Sequence, residues 1–176
     1  LGSFSLSRKT ITIKYFIKAA KQLCIQYGNK IQFNFIGNLS KKEKAMINKT
    51  FQSNNIIIYP KMDKKKGLSF LKKHVDYLIF MGVEYETTII SSKLFDFIKL
   101  GIPIIGICEG NEAEQIINET QTGEICGFSE KDIYRLLNKA VNQNIKFNPN
   151  LTKINHYSRS NQAQKLAKFL KKTIPC

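Results

Sequence analysis

Three short stretches of this 176-residue chain carry residue types able to grip a phosphate-rich ligand. The first is Gly2-Ser3-Phe4-Ser5-Leu6-Ser7-Arg8, where a glycine and three serines lead to one arginine just ahead of a helix-period segment. Backbone amides and hydroxyls can surround a phosphate, and a guanidinium can clamp it through two parallel hydrogen bonds. The competing reading is a frayed terminus. The second stretch, 87–103, places Ser91, Ser92 and Lys93 at the start of a helix. Helix N-termini attract anions through their unpaired amides and dipole. Asp96, one turn in, can accept ribose hydroxyls. The same residues also make an ordinary N-cap followed by a first-turn acid. The third is Glu109-Gly110-Asn111-Glu112-Ala113-Glu114, a strand-to-helix turn whose amides, at Gly110 and Asn111, can face a sugar or a diphosphate. It also reads as a plain turn with acidic capping.

Other chemistries lack their residues. No Ser-His-Asp order occurs, and the two histidines, His74 and His156, lie in polar segments that read as surface. The cysteines Cys24, Cys108, Cys126 and Cys176 form no C-x-x-C pair, so no zinc site or other metal site is expected. Cys24 and Cys108 sit in apolar stretches and read as buried small hydrophobes, in keeping with a reducing, cytoplasmic setting. A Walker A loop and a G-x-G-x-x-G are both absent, which argues against P-loop NTPases and ordinary dinucleotide dehydrogenases.

Charge adds a question of partners. Twenty-eight basic residues against thirteen acidic give +15. An acidic membrane surface, nucleic acid and plain lysine-rich solubility compete to explain it. The lysines are spread out, arginine is scarce and no aromatic-plus-Arg signature appears, so nucleic acid is not the expected partner. No apolar run reaches the ~18 residues of a membrane span. The start, Leu1-Gly2-Ser3-Phe4, has no signal-peptide pattern, and its missing Met suggests a piece of a longer chain.

The elements that must position these stretches alternate between helix and strand periods. Phe16, Ile17, Ala20, Leu23 and Cys24 mark an amphipathic helix stopped at Gly28-Asn29. Strands are expected at Ile31–Ile36, Asn55–Tyr59, Tyr77–Met81, Pro103–Ile107 and Glu124–Cys126. Ser40-Lys41-Lys42-Glu43 is a capping box, Asp63 and Ser129 are N-caps, and Ser91 or Ser92 caps a further helix. Helices follow at Ala113–Glu119 and over Ile133 to Val141. After a polar stretch with Pro149, Ala163–Leu170 reads as a last helix. Strands that are continuously apolar and separated by helices imply a parallel sheet covered on both faces. The expected fold is therefore α/β: one domain over 1–176, a three-layer, doubly wound, Rossmann-like sheet of about six strands. Ligands of such sheets bind at the carboxyl ends of the strands.

Taken in order, these segments resemble the C-terminal, donor-binding domain of retaining glycosyltransferases of the two-domain GT-B fold, including glycogen-synthase-like and polysaccharide enzymes. Leu1-Gly2-Ser3 through Arg8 resembles that family's opening strand, glycine and basic residue. Val75-Asp76-Tyr77-Leu78-Ile79-Phe80 resembles its "aDvli" strand. Ser92-Lys93-Leu94-Phe95-Asp96-Phe97-Ile98, followed by Gly101-Ile102-Pro103-Ile104-Ile105, is similar to its "sKlfeYla.GkPvi" signature. Asn111 to Thr122-Gly123 resembles the stretch that ends in "tG". Many relatives carry two glutamates separated by seven residues. Here those positions hold Thr88 and Asp96, so no catalytic residue is assigned.

The resemblance implies a nucleotide diphosphate sugar as substrate, with no obligatory metal or other cofactor. Donor contacts would come from Gly2, Ser3, Arg8, Ser91, Ser92, Lys93, Asp96, Gly110 and Asn111. It further implies an N-terminal acceptor domain outside this chain, a saccharide or lipid-linked acceptor, and little transfer by this chain alone. The expected location is cytoplasmic, with peripheral association at the anionic inner membrane face. The alternative is a non-catalytic nucleotide- or phosphate-binding module of the same fold.

Overall fold

In the computed structural model the described residues are 6–51, 55–82, 84 and 90–173, with main chain alone at 6–12 and 172. Helix α1 (Leu6–Tyr27) buries Ile13, Phe16, Ile17, Ala20 and Leu23, a stripe at helical spacing. It ends where Gly28 takes a positive φ of 58°, and a short 3₁₀ turn, Gly28–Lys30, leads into β1 (Phe33–Ile36). The expected capping box forms: Ser40 N–H donates to Glu43 Oε2 (2.7 Å) and Glu43 N–H to Ser40 Oγ (3.2 Å), opening α2 (Lys41–Thr50). Strand β2 (Ile56–Tyr59) follows. Asn55, just before it, donates from Nδ2 to the carbonyls of Gly28 (2.7 Å) and Ile31 (2.9 Å) and so ties β2 to the exit of α1.

Asp63 caps α3 (Lys64–His74) by accepting from Lys66 N–H at 2.9 Å. Then come β3 (Leu78–Met81), α4 (Ser92–Phe97), β4 (Ile104–Ile107), α5 (Glu112–Thr120) and β5 (Gly123–Cys126). Ser129 caps α6 (Glu130–Val141), accepting from Asp132 N–H at 3.1 Å. Two helices close the described chain, α7 (Leu151–His156) and α8 (Arg159–Thr173).

All observed strand pairs are parallel. β1 pairs with β2 from Phe33↔Ile56 to Ile36↔Tyr59. β4 pairs with β3 from Leu78↔Ile104 to Met81↔Ile107 and with β5 from Ile104↔Gly123 to Ile107↔Cys126. Parallel order with intervening helices is the α/β class expected from the continuous apolar strands. The strand count differs from expectation. The described residues hold five strands, as a pair and a triplet, rather than about six in one sheet. The opening strand expected at Leu1–Ser3 lies outside the described residues.

Two apolar clusters sandwich the strands. One joins α1, Ile47 and Phe51 of the α2 segment, and Ile133, Leu136, Leu137 and Ala140 of α6 to Phe33, Phe35, Ile105 and Ile107. The other joins Leu71 of α3, Leu94 and Phe97 of α4, and Ile116 and Ile117 of α5 to Ile36, Leu78, Phe80 and Ile104. Each cluster draws on both sheets. Neighbouring residues of β4, Ile104 and Ile105, go to opposite clusters, as the two-residue period of a strand requires. All four residues of β4 are buried.

Candidate functional site

The carboxyl ends of β3 and β4 meet at two loop residues. Gly82 follows β3 and donates its N–H to the carbonyl of Ile107 at 2.8 Å. A Cβ on Gly82 would lie 3.0 Å from the Asn111 side chain and 3.0 Å from Cys108 Cβ, so glycine lets the two strand ends close on each other. Asn111 is buried there as the N-cap residue of α5. Gly110 sits beside it with φ 80°, in the left-handed region that glycine tolerates. Its N–H, expected to face a diphosphate, donates instead to Glu114 Oε2 at 2.6 Å. The acidic capping reading of this turn therefore describes the contact that forms.

The helix after β3 presents its polar residues in two directions. Ser91 is the N-cap residue of α4, with no capping hydrogen bond from its side chain. Ser91 and Lys93 line a cavity of about 770 Å³ that lies between β1 and β3. Lys93 is half-buried there, and desolvation lowers the pKa of its ammonium. No carboxylate among the described residues pairs with it. Ser92 and Asp96 line a second cavity, of about 720 Å³, shared with Glu112 and Gln115 of α5, Tyr157, and Arg159 of α8. There Asp96 Oδ1 accepts a hydrogen bond from Lys64 Nζ at 2.7 Å, an ion pair from the start of α3.

The expected donor residues are thus divided. Ser91 and Lys93 share one cavity, Ser92 and Asp96 the other, and Gly110 and Asn111 occupy the adjoining turn. Gly2 and Ser3 lie outside the described residues. Arg8 is described in its main chain alone, as the third residue of α1, so the helix begins earlier than the sequence suggests and takes the arginine in.

Sequence reading missed Lys64, whose place in the run Lys61 to Lys66 gives no sign that it bonds Asp96. It also missed Glu119, which accepts from Tyr157 Oη (2.7 Å) and Lys153 Nζ (3.0 Å). The Tyr157 bond and then Lys153 hold the Glu119 carboxyl below its ordinary range. Burial, followed by Glu119, pushes the Tyr157 phenol up to about 12. Cys108 and Cys126 are buried and free, each pushed up to about 12 mainly by burial. Among the described residues no three His, Cys, Asp or Glu side chains gather as metal ligands. Nor is any described helix long and apolar enough to cross a membrane. Compared with known proteins, the sequence matches no family model and no curated protein.

Proposed function

We propose that this chain is the donor-binding part of a glycosyltransferase that takes its sugar from a nucleotide diphosphate carrier. The observation that carries the reading is Lys93. It is a half-buried cation at the first turn of the helix after β3, beside Ser91, with no acid paired to it among the described residues. A desolvated ammonium gains from an incoming phosphate what burial takes from it. Ser91 keeps its hydroxyl out of the cap and so has it for the same ligand. The reading also needs a single doubly wound sheet of six strands, whose switch point would face this cavity. Asp96 would hold the ribose after exchanging Lys64 for the ligand, and the Gly110 amide would have to leave Glu114.

Those two internal bonds withhold Asp96 and the Gly110 amide and leave Ser91 and Lys93 for a phosphate, which favours a second reading, a nucleotide- or phosphate-binding module without transfer activity. Thermal shift against nucleoside diphosphates and nucleotide sugars tests the shared part, because a ligand bound to the native state raises Tm. Lys93→Ala should weaken the cognate nucleotide by about 1.5–3 kcal/mol, roughly 10- to 150-fold. Arg8→Ala should act in the same direction. Unchanged affinity in both variants puts the pocket elsewhere. Nucleotide release with a panel of acceptors separates the two readings. A donor-binding half alone should give no multiple turnovers, since transfer depends on holding donor and acceptor together.

The proposal extends to an anionic membrane surface as a partner. Leu166, Phe169 and Leu170 are exposed on one face of α8, with Lys165 and Lys168 exposed on the same helix and no acid in it. Such a helix can lie in a lipid interface. Binding to anionic vesicles that falls as salt rises is the expected outcome. A steep salt slope on duplex DNA without vesicle binding would favour nucleic acid instead.

A further inference from the structure

The two sheets face each other across the larger cavity. Asn34, Phe35 and Ile36 of β1 line one side, and Leu78, Ile79 and Phe80 of β3 the other. Phe16 and Leu23 of α1 and Leu137 and Ala140 of α6 close it from one face, Leu71 and Phe97 from the other. The slot therefore has the build of a sheet interior, with strands at its sides and apolar helix faces above and below. Main-chain direction agrees. Gly37 N–H donates to Tyr59, so the alternating groups of Asn34 and Ile36 turn away from β2. Leu78 and Gly82 donate to Pro103 and Ile107, so those of Ile79 turn away from β4. Each set is aimed into the slot.

Crossover handedness says which segment belongs there. The units β3-α4-β4 and β4-α5-β5 step away from the slot with their helices in the layer of Leu94, Phe97, Ile116 and Ile117. The unit β1-α2-β2 steps the opposite way, with Ile47 and Phe51 in the other layer. Right-handed crossovers in opposite directions require helices on opposite faces, as found. Helix α1 lies in the layer of α2 and feeds β1. A right-handed crossover through that layer always steps in the direction from β1 to β2. A strand ahead of α1 would then lie on the far side of β1 from β2, which is the slot.

We propose that the cavity between β1 and β3 is the seat of a parallel, apolar β-strand supplied by the segment that leads into α1, joining the two sheets into one of order β2-β1-strand-β3-β4-β5. The occupant is this covalent neighbour rather than a strand from a second copy, because attachment to α1 fixes its direction and raises its effective concentration. Ser91 and Lys93 line the same cavity, so a strand seated there leaves a phosphate ligand only the part of it that the strand does not fill; the inference itself does not depend on that ligand.

The test adds a five-residue strand, Thr-Val-Ile-Val-Val, ahead of Leu1. A control extension carries proline at its second and fourth positions, which cannot donate to a ladder. Hydrogen exchange at Asn34, Ile36 and Ile79 should slow at least about tenfold in the strand-extended chain relative to the bare and proline-extended chains. Tm should rise by about 5 °C or more. If the extended chain does not fold, the same peptide with terminal lysines is added in excess to the bare chain, and the same three amides are read. Equal exchange in all versions overturns the proposal. So does protection in the bare chain that grows with protein concentration alongside a dimer on sizing, since the strand would then come from a second copy.

Discussion

The half built on β3, β4 and β5 and the half built on β1 and β2 are made by the same parallel pairing, yet they are buried very differently. β4 has a strand on each side and helices over both faces, and all four of its residues are buried. β2 has one neighbour among the described strands, and none of its residues is fully buried; Ile57 is 36% exposed. The triplet half also buries a pair of hydroxyls, with Thr120 Oγ1 and Thr122 Oγ1 2.8 Å apart and both residues buried. A parallel strand is thus stabilised chiefly by what covers its faces, since the pairing itself is common to both halves.

The largest expected effects come from breaking the triplet. Gly123 sits so close to β4 that a Cβ on it would stand 1.9 Å from the Ile104 carbonyl oxygen. The clash is with main chain and cannot be relieved by a rotamer. Gly123→Ala should cost more than the ~1–3 kcal/mol usual for overpacking and leave little cooperative unfolding by circular dichroism. Ile105→Ala, in the middle of β4, should cost about 2–5 kcal/mol in urea titration. Ile57→Ala in β2 should cost less than about 1 kcal/mol, because the side chain keeps much of its contact with water. Similar losses at Ile105 and Ile57 would erase the contrast between the halves.

What the sequence disclosed about these halves was local. Ser40 with Glu43, Asp63 and Ser129 each announce a helix start through a side chain that reaches three residues on, and each forms that bond. The apolar runs at Tyr77–Met81 and Pro103–Ile107 contain β3 and β4 with ends trimmed by one residue. Helix α7 escaped notice because its one buried residue, Ile154, leaves no periodic stripe to read. The division of the candidate site was also out of reach. Ser92 and Lys93 are sequence neighbours whose side chains leave a helix about 100° apart, so adjacency sends them to different cavities. The pairing of Asp96 with Lys64, 32 residues earlier, depends on how α3 and α4 pack and has no signature in composition.

Two changes of about 1 kcal/mol sharpen the comparison further. In the triplet half, burial raises the pKa of Glu124, but Lys139, the Lys146 N–H and both lysine charges outweigh it and hold the carboxyl below its ordinary value. The folded pKa lies below the unfolded one. The resulting stability is present in full above the unfolded value and is lost as pH falls through the folded one. Glu124→Gln should cost about 1 kcal/mol at pH 7, and wild type and variant should converge in Tm as the pH is lowered toward 3. In the pair half, Asn34 Oδ1 is buried without a hydrogen-bond partner among the described residues. Asn34→Val removes that cost and suits a strand, so it should raise stability by about 1 kcal/mol. A loss of stability from Asn34→Val would mean that the amide is held by a group in the slot.

The smallest effect is the one expected at Ser91, and it separates a cap from a ligand contact. Ser40 holds the first turn of α2 through its hydroxyl and, with Glu43, satisfies two amides. Ser91 occupies the same N-cap position in α4, with an extended backbone at φ −68° and ψ 129°, yet its hydroxyl bonds none of that helix's amides. Ser40→Ala should therefore cost about 1 kcal/mol, the usual loss of a side-chain cap. Ser91→Ala should stay within about 0.5 kcal/mol of the parent in the same denaturant series. If the Ser91 hydroxyl is kept for a phosphate beside Lys93, the variant should still weaken nucleotide binding several-fold while its Tm without ligand is unchanged. A Ser91→Ala variant as destabilised as Ser40→Ala would show that the serine is an ordinary cap, and the anion site would then rest on Lys93 alone.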